Sequence, residues 1–196
     1  MDIAMTLPTM ITHDRSNTLD WCRAVDEGPW SSLAIPERIT YPSHSWIVEL
    51  SAAAALTERV RLWTTIIVLP AHPAVDVAKQ LASVDQLCEG RLTVGIGVGG
   101  REHDYRAIDA PFGHRWSRMD EQVATMKRIW AGEPPFEGAE HGGTATCAGR
   151  RTAPRLRFDG PQIPRPRREM GDRCRRRFHR VRHRSGRDHS GVQSHP

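Results

Sequence analysis

The chain has 196 residues, a formal charge of +5 and 38% hydrophobic residues, enough for one domain with a buried core and too apolar for a wholly disordered chain. The charge is unevenly spread: residues 1–149 carry 13 Lys and Arg against 19 Asp and Glu, and residues 150–196 carry 15 Arg, no Lys and 4 acidic residues. The net value therefore averages two unlike pieces and does not describe a basic nucleic-acid-binding surface.

The amino terminus, MDIAMTLPTMITHD, has no basic region ahead of a long apolar stretch, and no run approaches ~18 apolar residues, so neither a signal peptide nor a membrane span is expected. Cys22, Cys88, Cys147 and Cys174 form no CxxC pair. Buried reduced thiols and a cytoplasmic location are the expectation.

Taken in order, Ile3 to Met10 is a short apolar strand that stops near Pro8. Ser16 or Asn17 can cap a helix running to Glu27, with Leu19, Cys22 and Val25 on one side, and Gly28 and Pro29 end it. Ser31 to Ile35 reads as a second strand. Ser45 is placed to cap a helix from Trp46 to Arg59, whose Ala run has high helix propensity. Val60 to Leu69, rich in Thr, Ile and Val, suits a strand buried on both faces. Pro73 opens a third helix in which Val77, Leu81, Val84 and Leu87 recur along one face before Gly90 stops it. Arg91 to Val98 is the next strand, Gly99 to His114 a loop, and Arg115 to Ala131 a helix with Met119, Val123, Met126 and Trp130 on one face. Strict alternation of strand and helix implies an α/β fold with a mainly parallel sheet. From about Gly138 the pattern dissolves into Gly, Pro and Arg, and no regular structure is assigned there.

The stretch TERVRLWTTIIVLPAHPAVDVAKQLASVDQLCEGRLTVGIGVGG, followed by APFGHRWSRMDEQVATMKRIWAGEP, resembles the bacterial luciferase-like monooxygenases, including their deazaflavin-dependent branch. The resemblance covers about residues 3–137. It implies a (β/α)8 barrel, of which this chain supplies the first four β/α units as residues 1–137, followed by an irregular Arg-rich tail over 138–196. A full barrel typically needs about 250 residues.

The resemblance also implies a cofactor, either reduced FMN or the deazaflavin coenzyme F(420), at the carboxyl ends of the strands. The chemistry would be hydride transfer to or from C5 of the deazaflavin, or oxygen activation at the reduced flavin, acting on a small-molecule substrate. In the family the third strand ends in a bulge with a non-prolyl cis peptide, which maps to Thr65–Ile66. The segment near the ribityl chain and phosphate maps to Gly97, Val98, Gly99 and Gly100. Two positions depart from the family pattern: Glu37 and Arg38 stand where Asp-His is common, and Gly100 stands where some deazaflavin enzymes carry an acid.

His72, Glu102, His103 and His114 fall in loops on the carboxyl rim of such a barrel, where active sites occur. His72 follows the strand that would touch the ring, and Glu102 and His103 follow the glycines, so these three are the catalytic candidates. Gly95, Gly97 and Gly100 also satisfy GxGxxG, but they close a late strand and a loop of about fourteen residues follows, where a dinucleotide fingerprint wants a helix at once. No metal site is expected: Cys174, His179, His183 and His189 lack paired short spacings and lie in an Arg-rich chain that repels cations.

The tail has two further readings. Arg173 to Arg184 could hold phosphate backbones by charge alone, weakly and without sequence preference. Arg without Lys among Pro, Gly, His and Ser is also what a GC-rich coding region gives when read out of frame, and resequencing codons 138–196 decides it. The rival to an enzyme is a half-barrel whose unpaired β1 and β4 edges join a second copy, giving a homodimer.

Overall fold

In a computed structural model, residues 2–139 and 155–157 are described. The elements alternate as expected: β1 (Ala4–Thr6), α1 (Arg15–Glu27), β2 (Ser32–Ile35), α2 (Trp46–Leu56), β3 (Arg61–Val68), a 3-10 turn (Leu69–Ala71), α3 (Ala74–Leu87), β4 (Leu92–Gly97), α4 (Glu102–Ala107), α5 (Arg115–Trp130) and β5 (Arg155–Arg157). All four strand pairs are parallel and the sheet order is β1-β2-β3-β4-β5. A parallel sheet that never reverses its order keeps its helices on one side as barrels do, because parallel crossovers share one hand. Among the described residues it has none of the switch points at which doubly wound sheets bind dinucleotides, so the GxGxxG spelling at Gly95, Gly97 and Gly100 is incidental.

The strands form because their apolar residues meet helices on that side. Leu33, Ile35, Leu62, Ile67, Leu92, Val94 and Ile96 join Cys22 and Val25 of α1, Leu50, Ala53 and Ala54 of α2, and Val77, Ala78, Leu81, Ala82 and Val84 of α3 in one core. Helix α5 adds Val123, Met126, Ile129 and Trp130, and Trp130 Nε1 donates to the Ala78 carbonyl at 3.0 Å. Met119 is only partly buried against this core.

Several local readings are corrected. On α3, Leu87 is 62% exposed and Cys88 takes its place in the core at 0%. The buried series Val77, Leu81, Val84, Cys88 steps by four, three and four, which follows the 3.6-residue turn more closely than steps of four, three and three. On α1 the cap is Asp14, whose carboxylate accepts from Asn17 N at 2.9 Å while the Asn17 side chain accepts from Asp14 N, closing a reciprocal box. Ser45 precedes α2 without a side-chain cap bond, and α2 ends at Leu56 rather than Arg59.

The loop expected over Gly99 to His114 contains α4. Glu102 and Asp104 in its first turn and Arg106 in its last complement the helix dipole, but six residues are too few to show a period. Finally, β5 lies in the stretch to which the sequence assigned no structure. Thr93, Val94 and Gly95 pair with residues 155, 156 and 157, so β4 is not a free edge. The rest of the Arg-rich segment, with Cys174, His179, His183 and His189, lies outside the described residues.

The amino ends of the strands are bolted together by charged side chains. Asp26, at the end of α1, accepts from the backbone N–H groups of Glu58, Arg59 and Val60 at 2.9–3.0 Å. Arg59 returns to the carbonyls of Val25, Asp26, Gly28 and Trp30. Arg91, just before β4, holds the carbonyls of Thr57 and Val60. Burial works against ionisation of Asp26, but the three N–H donors and Arg59 outweigh it and hold its pKa below the usual carboxylate value.

Candidate active site at the carboxyl ends of the strands

Between Thr64 and Ile67 the register of β3 against β4 shifts, marking a bulge, and the Thr65–Ile66 peptide within it is cis. A bulge leaves ladder groups on the facing strand without backbone partners. Here the Thr64 hydroxyl supplies them: Oγ1 donates to the Gly95 carbonyl at 2.9 Å and accepts from Gly95 N at 2.8 Å. Gly95 must be glycine for this, because a Cβ there would stand 2.3 Å from the Thr64 carbonyl oxygen.

Ile66 in the bulge and Val68 just after it lean onto β4. A Cβ on Gly97 would meet Ile66 Cδ1 at 2.5 Å, and one on Gly99, whose φ is +59°, would meet Val68 Cγ1 at 2.8 Å. These two glycines thus admit side chains of the neighbouring strand. At Gly100 a Cβ would meet nothing within 4 Å, leaving that end of the segment open.

Behind the bulge lies the carboxylate of Glu37, which stands where Asp-His is common in the family. Glu37, two residues past β2, is 5% exposed. Its Oε2 accepts from Val68 N at 2.6 Å and its Oε1 lies 2.6 Å from His72 Nε2. Its own N–H donates to the Ile66 carbonyl at 3.3 Å. The same residue therefore fixes both sides of the bulge and one nitrogen of His72. His72 is further held by its N–H to the Leu69 carbonyl, by Gln122 Nε2 donating to its carbonyl at 2.6 Å, and by the edge of Trp46. Its side chain remains 23% exposed.

A second group forms where the loop after β2 meets α4. Thr40 donates to the Asp104 carboxylate, and its hydroxyl also lies 3.0 Å from His103 Nε2. Arg101 approaches Asp104 at 3.5 Å and stacks over Tyr41 with its guanidinium 4.6 Å from the ring centre, and Arg38 approaches the same ring at 5.8 Å. Tyr105 reaches back from α4 to the Val98 carbonyl at 2.5 Å, and burial raises its pKa. The fold thus brings His103 to Thr40 and Asp104, while His72 joins Glu37. Glu102 and His114 stay on the exposed surface, and among the described residues no hydrogen bond or ion pair joins either side chain to these groups.

A third group was not singled out from sequence: His13 after β1, with His44 and Glu49 at the start of α2. Sequence distance hid it, since 36 residues separate His13 from Glu49.

A singly wound parallel sheet with acid–histidine pairs at its carboxyl edge, and a bulged third strand pressed on a glycine segment, defines a barrel-type α/β protein. The chain belongs to the luciferase-like monooxygenase family, whose profile matches residues 2–170. It is 39% identical over 93 residues to an F(420)-dependent glucose-6-phosphate dehydrogenase of Beutenbergia cavernae, and 33% identical over 90 residues to an FMNH(2)-dependent dimethylsulfone monooxygenase of Pseudomonas putida. These matches span 26% and 24% of those relatives. The fold resembles that of the monooxygenase RslO1 from Streptomyces bottropensis, with a TM-score of 0.67 and 23% identity, over 80% of this chain and 52% of that one. The chain therefore spans about half or less of the proteins it matches.

Proposed function

We propose that this chain forms one wall of the cofactor site of a luciferase-like oxidoreductase that uses coenzyme F(420) or reduced FMN on a small-molecule substrate. The observation that carries the reading is the bulge after Thr64, which sets Ile66 and Val68 against Gly97 and Gly99 at the rim. The residues present fit such a group. Ile66 and Val68 are half-buried and offer an apolar face to a flat ring, Gly100 is open to close approach, and Arg38 and Arg101 supply positive charge for an anionic side arm. The bound cofactor would supply hydride or oxygen chemistry.

The protein's own part is to hold the wall rigid and to place a proton carrier. Glu37 fixes the Nε2 side of His72 at 2.6 Å, so Nδ1 is the nitrogen left to exchange a proton at the rim. His103, on the second group, is the other candidate for that work. Glu102, which touches neither group, is the weakest of the three. The Arg-rich residues 138–196 are no part of this proposal.

Titration of the purified chain with oxidised F(420) and with FMN, followed by cofactor fluorescence, tests the reading. A saturable change is expected with one of them, weakened by Gly97→Val, which forces Ile66 off the wall. No saturable change with either cofactor would refute it.

A further inference from the structure

We infer that His13, His44 and Glu49 form a binding site for one divalent transition-metal ion of the Zn2+ class. Strands β1 and β2 are parallel neighbours, so the loops leaving their carboxyl ends run side by side. His13 ends the first loop, just before the α1 cap, and His44 ends the second, just before α2. Glu49 points back from the first turn of α2. One ligand atom from each lies within 4.8 Å of the others.

The hydrogen bonding inside the group is incomplete in a way that points to a cation. His13 Nδ1 sits 3.1 Å from the Ile11 carbonyl, an acceptor only, which commits a proton to Nδ1. In the neutral ring Nε2 is then a bare lone pair, and it faces Glu49 Oε1, another acceptor, at 2.7 Å. His44 Nδ1 approaches the same oxygen at 3.5 Å. Glu49 Oε2 is buried with no hydrogen-bond partner, on a side chain that is 1% exposed. A proton between His13 and Glu49 would answer the first contact and leave both Oε2 and His44 idle. A metal ion uses all three side chains.

The chemistry of the donors fits. Two imidazoles and one carboxylate form a three-ligand set typical of zinc sites that keep a fourth position for water. The contact from His13 Nδ1 to a backbone carbonyl is the outer-shell bond that ligating histidines commonly make. Metal–donor bonds of about 2.0–2.2 Å require the three atoms to rearrange by small movements, and His44, whose side chain is 45% exposed, is free to make them. Trp46, between His44 and Glu49 in sequence, touches His72 edge-on, so an ion here would stiffen the wall beside the Glu37–His72 pair.

The test is equilibrium dialysis of the chelator-stripped full chain against Zn2+, with metal counted by mass spectrometry, in parallel with Co2+ and its visible absorption. The parent and the Glu49→Gln and His44→Ala variants are compared, with circular dichroism to confirm folding. One ion per parent chain is expected, with a tetrahedral Co2+ spectrum, and at least tenfold weaker binding in each variant. Exposed His44 carries the decision should Glu49→Gln fail to fold. No binding by the parent overturns the inference and leaves a buried His13–Glu49 ion pair. Binding unchanged in His44→Ala overturns it as well, assigning the metal to other histidines and cysteines of the chain.

Discussion

Removing the Glu37 carboxylate tests whether the bulge is held from behind. Its two oxygens take two short bonds, from Val68 N and with His72 Nε2, each at 2.6 Å. A hydrogen bond to a charged group contributes about 1.5–3 kcal/mol, and stranding a buried donor costs about 1–3 kcal/mol. Glu37→Ala strands the Val68 N–H behind a residue that is itself 5% exposed and leaves the partly exposed His72 without its partner, so a loss of about 2–4 kcal/mol is expected, somewhat below that of fully buried pairs. Glu37→Gln is different. Its amide oxygen can still accept from Val68 N, and its NH2 can donate to His72 Nε2 once the ring carries its proton on Nδ1, so only charge assistance is lost, about 1–2 kcal/mol. Urea unfolding followed by tryptophan fluorescence measures both. Equal losses in the two variants, or a loss below about 0.5 kcal/mol for Glu37→Ala, the range of ordinary surface changes, would refute the assignment of Glu37 as the clamp.

Gly95→Ala places a methyl 2.3 Å from a backbone oxygen that cannot swing away, whereas Gly100→Ala meets open space. The first should cost about 1–3 kcal/mol as an overpacked site, and the second should leave the thermal midpoint nearly unchanged. Asp26 is predicted to make stability pH-dependent on the acid side. Its folded pKa is depressed, so its contribution is complete above the unfolded carboxylate value near ~3.9 and is lost as pH falls through the folded value. Asp26→Asn should flatten that part of the stability–pH curve, and an unchanged slope would count against it. Cys22 should resist alkylation at pH 8: burial, with Glu49 and Asp26 nearby, pushes its thiol up to about 11. Peptide mapping after brief iodoacetamide treatment should find it unlabelled in the native chain and labelled in urea.

What the sequence disclosed follows from the range of the forces involved. Periodicity reports which residues a helix or strand buries, so the order of the elements from β1 to β4 was legible, as was the face of α5; on α1 Cys22 and Val25 are buried, but Thr18 rather than Leu19 completes the buried face. Short elements have no period to read, which is why neither α4 nor the strand at residues 155–157 shows in the sequence pattern. The cis bond and bulge at Thr65–Ile66 were legible only through family resemblance, since nothing in the letters TTII distinguishes them from a plain strand. The acid–histidine pairs were hidden for a simpler reason: Glu37 meets His72 across 35 residues and His13 meets Glu49 across 36. One βα unit separates the partners in each case, and only the parallel register sets their loops side by side.

That register also explains why the two ends of the sheet use charge so differently. At the amino ends, Asp26, Arg59 and Arg91 direct most of their hydrogen bonds to backbone groups of the segments entering β2 and β3. Such contacts fix geometry and leave few side-chain atoms for a ligand. At the carboxyl ends, Glu49 and Glu37 each face a histidine, the buried His13 and the partly exposed His72. A buried carboxylate facing an imidazole is a costly arrangement for stability alone, because well-packed apolar residues often do as well. Its occurrence twice, as His13–Glu49 and as His72–Glu37, and its absence from the amino-end contacts among the described residues, is the pattern expected where the carboxyl end of a parallel sheet is the end that carries sites.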